Sequence, residues 1–153
     1  MSAPASRPPN PDRALIRRFL ERPAEPLPVG SNPMAIALGA RLLAADAEAG
    51  VLTLGFEPQG LFIQGTGVLQ GGAVSAMLDF AMAFAVLAQL PEDGSCATVN
   101  LSTAFLRPAP AGRYTAVGEI ERRGRALAFT RARLLHDASA AVVATASSTL
   151  AIA

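Results

Sequence analysis

Between Gly71 and Leu90 the chain reads GGAVSAMLDFAMAFAVLAQL, and Asp79 carries the only charge in that run. A stretch this long and apolar has two main ways to fold: across a bilayer, or as a helix wrapped on most sides by its own protein. The mid-run acid, the absence of Lys or Arg at either end and the strand-like sequence that follows argue against a membrane span. The wrapped reading predicts one long helix from about Gly72 to Leu90, stopped by Pro91 and the turn residues Glu92-Asp93-Gly94. Ala73, Ala76, Ala81, Ala83, Ala85 and Ala88 keep that helix slim, so that a curved sheet can close tightly around it.

The flanking segments supply the sheet. Strands are expected at Ala40 to Ala47 and Val51 to Phe56, with a turn at Glu48-Ala49-Gly50. Gln59 to Gln70 reads as a glycine-rich loop with a brief strand at Leu61 to Ile63. Four further strands are expected after the helix: Ala97 to Phe105, Arg113 to Arg122, Ala126 to His136 and Ala140 to Ala151. Their turns are marked by Pro108 to Gly112, Gly124 and Asp137 to Ser139. One long helix followed by an antiparallel run of strands predicts an α+β fold with the helix packed on a single sheet.

Residues 1–33 read as an N-terminal extension and 34–153 as the main domain. In the extension, Asn10-Pro11 has the form of a helix cap followed by proline at the first helical position. The repeats Leu15/Phe19 and Ile16/Leu20 predict an amphipathic helix to about Glu21. Pro23, Pro26 and Pro28 then enforce an extended linker, and Asn32-Pro33 opens a second short helix ending at Gly39.

Composition removes whole classes of function. The chain has 153 residues, 51% of them hydrophobic and 16% charged, which suits one globular unit with a real core. A net charge of +1 gives no field to attract nucleic acid or an anionic membrane. The single cysteine, Cys96, rules out an internal disulfide and fits a reducing compartment, and the N-terminus lacks the apolar segment of a signal peptide. A cytoplasmic location is the expectation. One histidine and one cysteine, neither at ligand spacing, leave no zinc site. A Ser/His/Asp triad would have to use His136, which falls at a hairpin turn, and there is no G-x-S-x-G elbow. The glycines at 65, 67 and 71 before the helix faintly resemble a dinucleotide loop, but no second βαβ unit follows. No metal or redox cofactor is expected.

Two features remain. Gly71 and Gly72 offer no capping side chain, so the first helical N–H groups stay open to a carbonyl oxygen that turns negative during reaction; a close-packed turn would use the same two glycines. Asp79, sharing a face with Gly72, Ser75, Ala76 and Ala83, has the setting of a general base or carboxylate nucleophile, or of an acid in a polar network at a subunit contact. Eight helical residues separate Gly71 from Asp79, about 12 Å along the axis. One small carbonyl cannot touch both. If they serve one reaction, donor and acid come from different subunits, and a homodimer with two composite sites follows.

The stretches GVLQGGAVSAMLDFAMAFAVL, ATVNLSTAFLRPAPAG and ERRGRALAFTRARL together resemble the PaaI-type acyl-CoA thioesterases of the hotdog superfamily, over roughly Leu38 to Thr149. The resemblance implies a central helix wrapped by a curved antiparallel sheet, paired into a homodimer and often a dimer of dimers, with an acyl-CoA as substrate. It assigns Asp79 to water activation or attack on the thioester carbon, and the Gly71 N–H to the carbonyl. It maps a side-chain amide to Gln64 and a hydroxyl that holds the water or the acid to Thr98. Gln70 and Gly72 flank that donor on the substrate side. The tip Arg123-Gly124-Arg125 falls where the family meets the CoA phosphates, although a solvated hairpin tip would look the same. The family usually reads His-Gly-Gly where this chain has Gln70-Gly71-Gly72. Glutamine donates a hydrogen bond but does not shuttle a proton near neutral pH, which leaves a non-catalytic acyl-CoA or lipid-binding module as the alternative.

Overall fold

The computed structural model describes residues 8–153. The first seven residues of the expected extension lie outside them.

Helix α1, Pro11–Glu21, begins as its sequence dictates: the Asn10 side chain accepts from the N–H groups of Asp12 and Arg13, with Pro11 in the first turn. Its apolar stripe Leu15, Ile16 and Phe19 is buried in the same core as the rest of the chain, each side chain contributing about 1.5–3 kcal/mol of burial. The proline-rich connection contains a two-residue strand, β1 (Leu27–Pro28), which pairs with β2 (Arg41–Asp46). Between them, α2 (Pro33–Ala37) is capped by Asn32, and the chain reverses at Gly39 with φ +62. Extension and main domain thus share one sheet and one core.

Strand β3, Val51–Phe56, follows β2 through a turn. The expected strand at Leu61 to Ile63 is instead a 3-10 turn at Gly60–Phe62, closed by Phe62 N–H to Gln59 O and Ile63 N–H to Gly60 O. The run Leu-Phe-Ile reads as strand, but these i→i+3 bonds at Gly60 win locally, and only an isolated bridge joins Ile63 to Leu69. Helix α3 spans Gly71–Leu87; the last residues of the expected helix tighten into a turn, with Gln89 N–H on Val86 O and Leu90 N–H on Leu87 O. Strands β4 (Cys96–Phe105), β5 (Tyr114–Arg123), β6 (Leu127–His136) and β7 (Ala141–Ile152) complete the chain.

All seven strands form one antiparallel sheet in the order β1-β2-β3-β5-β6-β7-β4. The chain leaves β3, crosses one face of the sheet as α3, lays β4 on the far edge and returns to β5, and the meander β5-β6-β7 fills the gap. This is the wrapped helix of the hotdog fold. Met77, Leu78, Ala81, Met82 and Val86 are fully buried against the sheet. At Gly118 on β5 the strand backbone runs so close that a Cβ would strike the Ala81 carbonyl and lie 2.8 Å from Met82 N.

The C-terminal end of α3 is held by two arginines. Arg13 Nε donates to Leu90 O at 2.6 Å, and Arg123 Nη1 reaches Gln89 O at 3.3 Å. Cations at a helix C-terminus meet the negative end of its dipole. Among the described residues no helix is long and apolar enough to cross a membrane.

Candidate active site

The face of α3 that the sheet leaves open carries Gly72, Ser75, Ala76, Asp79, Phe80 and Ala83, all partly or fully exposed. Beside this face runs β4, the edge strand, and the two are joined rung by rung. The Phe105 ring lies over Gly71, where an added Cβ would sit 3.2 Å from its Cζ. Ser75 Oγ donates to Thr103 Oγ1 at 3.0 Å, and Thr98 Oγ1 donates to Asp79 Oδ1 at 2.8 Å. Cys96 Sγ–H points at Ala83 O, 3.7 Å away. Residues 71, 75, 79 and 83 repeat at four, so one helical stripe faces one strand.

Asp79 and Thr98 are therefore brought together, and the hydroxyl fixes one carboxylate oxygen. The acid is half-buried on this open face. Gly71 and Gln64 meet in a different place, a cavity of about 470 Å³ at the start of α3. Its walls are mainly apolar, with Val68, Leu69, Val74, Phe105, Leu106 and Val143, and Arg107 also lines it. The first helical amides to find acceptors are Ala73 and Val74, both on Gln70 O, so the Gly71 and Gly72 N–H groups precede the helical ladder. Gln70 occupies the cap position without a side-chain bond to the helix and is exposed.

The arginine tip sits at the opposite end. Arg123, Gly124 and Arg125 are exposed in the β5–β6 hairpin, and Arg123 binds both Gln89 O and Gln89 Oε1. From Gly71 to that end α3 covers about 25 Å. Within one chain the amide cavity, the Asp79–Thr98 pair and the arginine tip are three separate clusters. Burial first, then the charges of Asp79 and Asp12, pushes the Cys96 thiol up to about 11. That thiol is no nucleophile near neutral pH.

The Ser75–Thr103 bond, Phe105 over Gly71 and Arg107 in the cavity are additions to the residues named from sequence. Ser75 and Thr103 are 28 positions apart, and no local pattern joins them. Arg107 carried a signal, an arginine directly after a strand and before Pro108, but reads as structural without the cavity.

The thioesterase superfamily profile matches residues 66–142, half of the chain, from the amide cavity through β4 and the β5–β6 hairpin to the start of β7. The chain belongs to the thioesterase superfamily. It is also similar to solved structures along nearly its whole length. One is a phenylacetic acid degradation-related protein of Ralstonia eutropha, described as a thioesterase: 37% identical, TM-score 0.78, covering 90% of this chain and 98% of that one. A thioesterase family protein from Silicibacter pomeroyi is 26% identical with TM-score 0.75, covering 92% of this chain and 97% of its own. The Escherichia coli PaaI protein, from the phenylacetic acid degradation operon, is 18% identical with TM-score 0.73 over 92% of both chains, a likeness of fold. No curated protein matches. This hotdog thioesterase is a thioester hydrolase.

Proposed function

We propose that the chain hydrolyses an acyl-CoA thioester to the free acid and CoA at a site shared by two copies. The observation that carries this reading is the separation of the two half-sites. The uncapped Gly71 amide with Gln64 lies at one point on α3, and Asp79 with Thr98 lies about 12 Å further along. Two α3 helices packed antiparallel by their open faces would bring Asp79 of a second copy to the Gly71 amide of the first.

In that arrangement the thioester oxygen accepts from Gly71 N–H and the Gln64 carboxamide, which stabilise the charge that develops there. Asp79 takes a proton from water as the water oxygen bonds to the carbonyl carbon, while Thr98 holds the carboxylate by its other oxygen. Collapse breaks the C–S bond, and CoA leaves as a thiolate that needs no proton from Gln70. The apolar cavity takes part of the substrate, and an antiparallel pairing puts the second copy's Arg123-Gly124-Arg125 tip on the same side, in reach of CoA phosphates. No metal or redox group enters any step.

The test is thiol release from a panel of acyl-CoAs, aryl-acyl groups included, by the wild-type chain and by Asp79→Asn. The variant should stay folded and lose about 10²-fold or more of turnover, the scale of a positioned base. Near-normal turnover by the variant removes Asp79 from the chemistry. Gln70 at the family's histidine position favours a second reading, a silent acyl-CoA or lipid-binding module. Tight CoA-thioester binding by calorimetry with no thiol release would decide for it.

A further inference from the structure

Strand β4 carries one residue more than its neighbour. Thr98 pairs with Leu150, but Asn100 pairs with Thr149, so Val99 is extra and forms a bulge. Bulges change which side chains share a face. Before it, Cys96 and Thr98 turn toward α3; after it, Thr103 and Phe105 do. A regular strand that faced Thr98 to the helix would turn Thr103 and Phe105 away, because a slip of one residue inverts every later side chain. Only the bulge lets one strand hold Asp79 and also cover Ser75 and Gly71.

Two polar side chains hold the register where it breaks. Asn100 Oδ1 accepts the Thr149 N–H at 3.0 Å, and Ser148 Oγ donates to Asn100 O at 2.8 Å. Ser148 is buried, and its own carbonyl accepts from buried Thr130 Oγ1 at 3.0 Å. The bulge is thus fixed from the sheet side, two residues from the hydroxyl that grips Asp79.

We propose that Asn100 is a positioning residue for Asp79, acting through the bulge at Val99 and the Thr98 hydroxyl. This rests on Asp79 being the reacting carboxylate. Asn100 touches neither the acid nor the cavity. Its carboxamide supplies an acceptor that a β4 carbonyl would give in a regular ladder, and so keeps Thr98 aimed at Asp79.

The experiment compares Asn100→Ala, Asn100→Asp and Asp79→Asn in the full chain, each also scored for folding by circular dichroism. Asn100→Ala should lower kcat by roughly ten-fold or more, the effect of a misplaced reacting group. KM should stay within about two-fold, since Phe105 keeps its pairing with Ala144 in the regular ladder beyond the bulge and the cavity wall stays in place. Asn100→Asp keeps an oxygen at the same position and should restore kcat. In a Thr98→Val background, Asn100→Ala should cost nothing further, because both changes act on one contact. If Asn100→Ala does not fold, Asn100→Gln moves the carboxamide outward by one methylene and should show the same fall in kcat. Unchanged kcat, an equal loss by Asn100→Asp, or a full additional loss in the Thr98→Val background would overturn the proposal. Asp79→Asn separates the two levels. If it is slow while Asn100→Ala is normal, only the positioning role falls; if it turns over normally, the reading beneath falls and takes this role with it.

Discussion

Gly71 is a residue whose missing side chain has two uses. Its N–H opens the helix unbonded, and its Cα accepts the Phe105 ring against it. Gly71→Ala keeps the donor but would push the ring, which is 56% exposed and free to move, toward the cavity. We expect a folded protein with KM for acyl-CoA raised by roughly ten-fold, the cost of one misplaced methylene in an apolar pocket. Steady-state kinetics with an unchanged melting temperature would bear this out; a KM equal to wild type would mean that the ring does not border the substrate. Cys96 gives a second residue-level expectation. With its thiol pushed up to about 11, it should be inert to thiol reagents at pH 8, where about one molecule in a thousand is thiolate. Tyr114, buried and donating to Pro110 O, is pushed up to about 12 by burial. Both groups hold their protons in the fold at pH values where the unfolded chain loses them. The folded state therefore binds more protons, and stability should fall as pH rises from about 9 through 12. Melting temperatures across that range test the sign, and a flat profile would contradict it.

Among the elements, β5 and α3 approach closely at Gly118. Gly118→Ala would drive a methyl into the Ala81 carbonyl, where backbone on both sides cannot yield. It should destabilise the fold by about 3 kcal/mol, the upper range of overpacking, as chemical denaturation would show; a loss under 1 kcal/mol would mean that strand and helix separate easily. The element map was largely legible because its signals are local: Asn10-Pro11 and Asn32-Pro33 cap helices, and Pro91 and Gly94 follow the end of α3. Leu61 to Ile63 misled because β-favouring side chains do not report the i→i+3 bonds that Gly60 begins. The candidate site was half legible. A lone acid in an apolar helix and a double glycine at its start stand out in one dimension. The Val99 bulge does not, because CATVNLSTAF shows no break in pattern and the extra residue exists only by comparison with β7.

For the whole molecule, the open face of α3 and the adjacent β4 edge form one surface. Val99 is 61% exposed, Leu101 36% and Phe105 56%, with Phe80 half-buried behind them. A long apolar edge strand invites pairing with another chain. Leu101→Lys sets a charge on that edge and leaves the residues Asp79, Thr98 and Gly71 themselves unchanged. It should give a folded monomer by analytical ultracentrifugation and lower thiol release at least about ten-fold, since each copy would hold half a site. A fully active monomer would refute the shared site.

The strand at the opposite margin of the sheet, β1, is only two residues long and ends in Pro28, which has no N–H to offer. Strand addition is then favoured at β4, whose ten residues form the longest border among the described residues. Two copies joined there by a two-fold axis would consume both β4 borders, so that the continuous sheet would favour closing at a pair over extending into a filament.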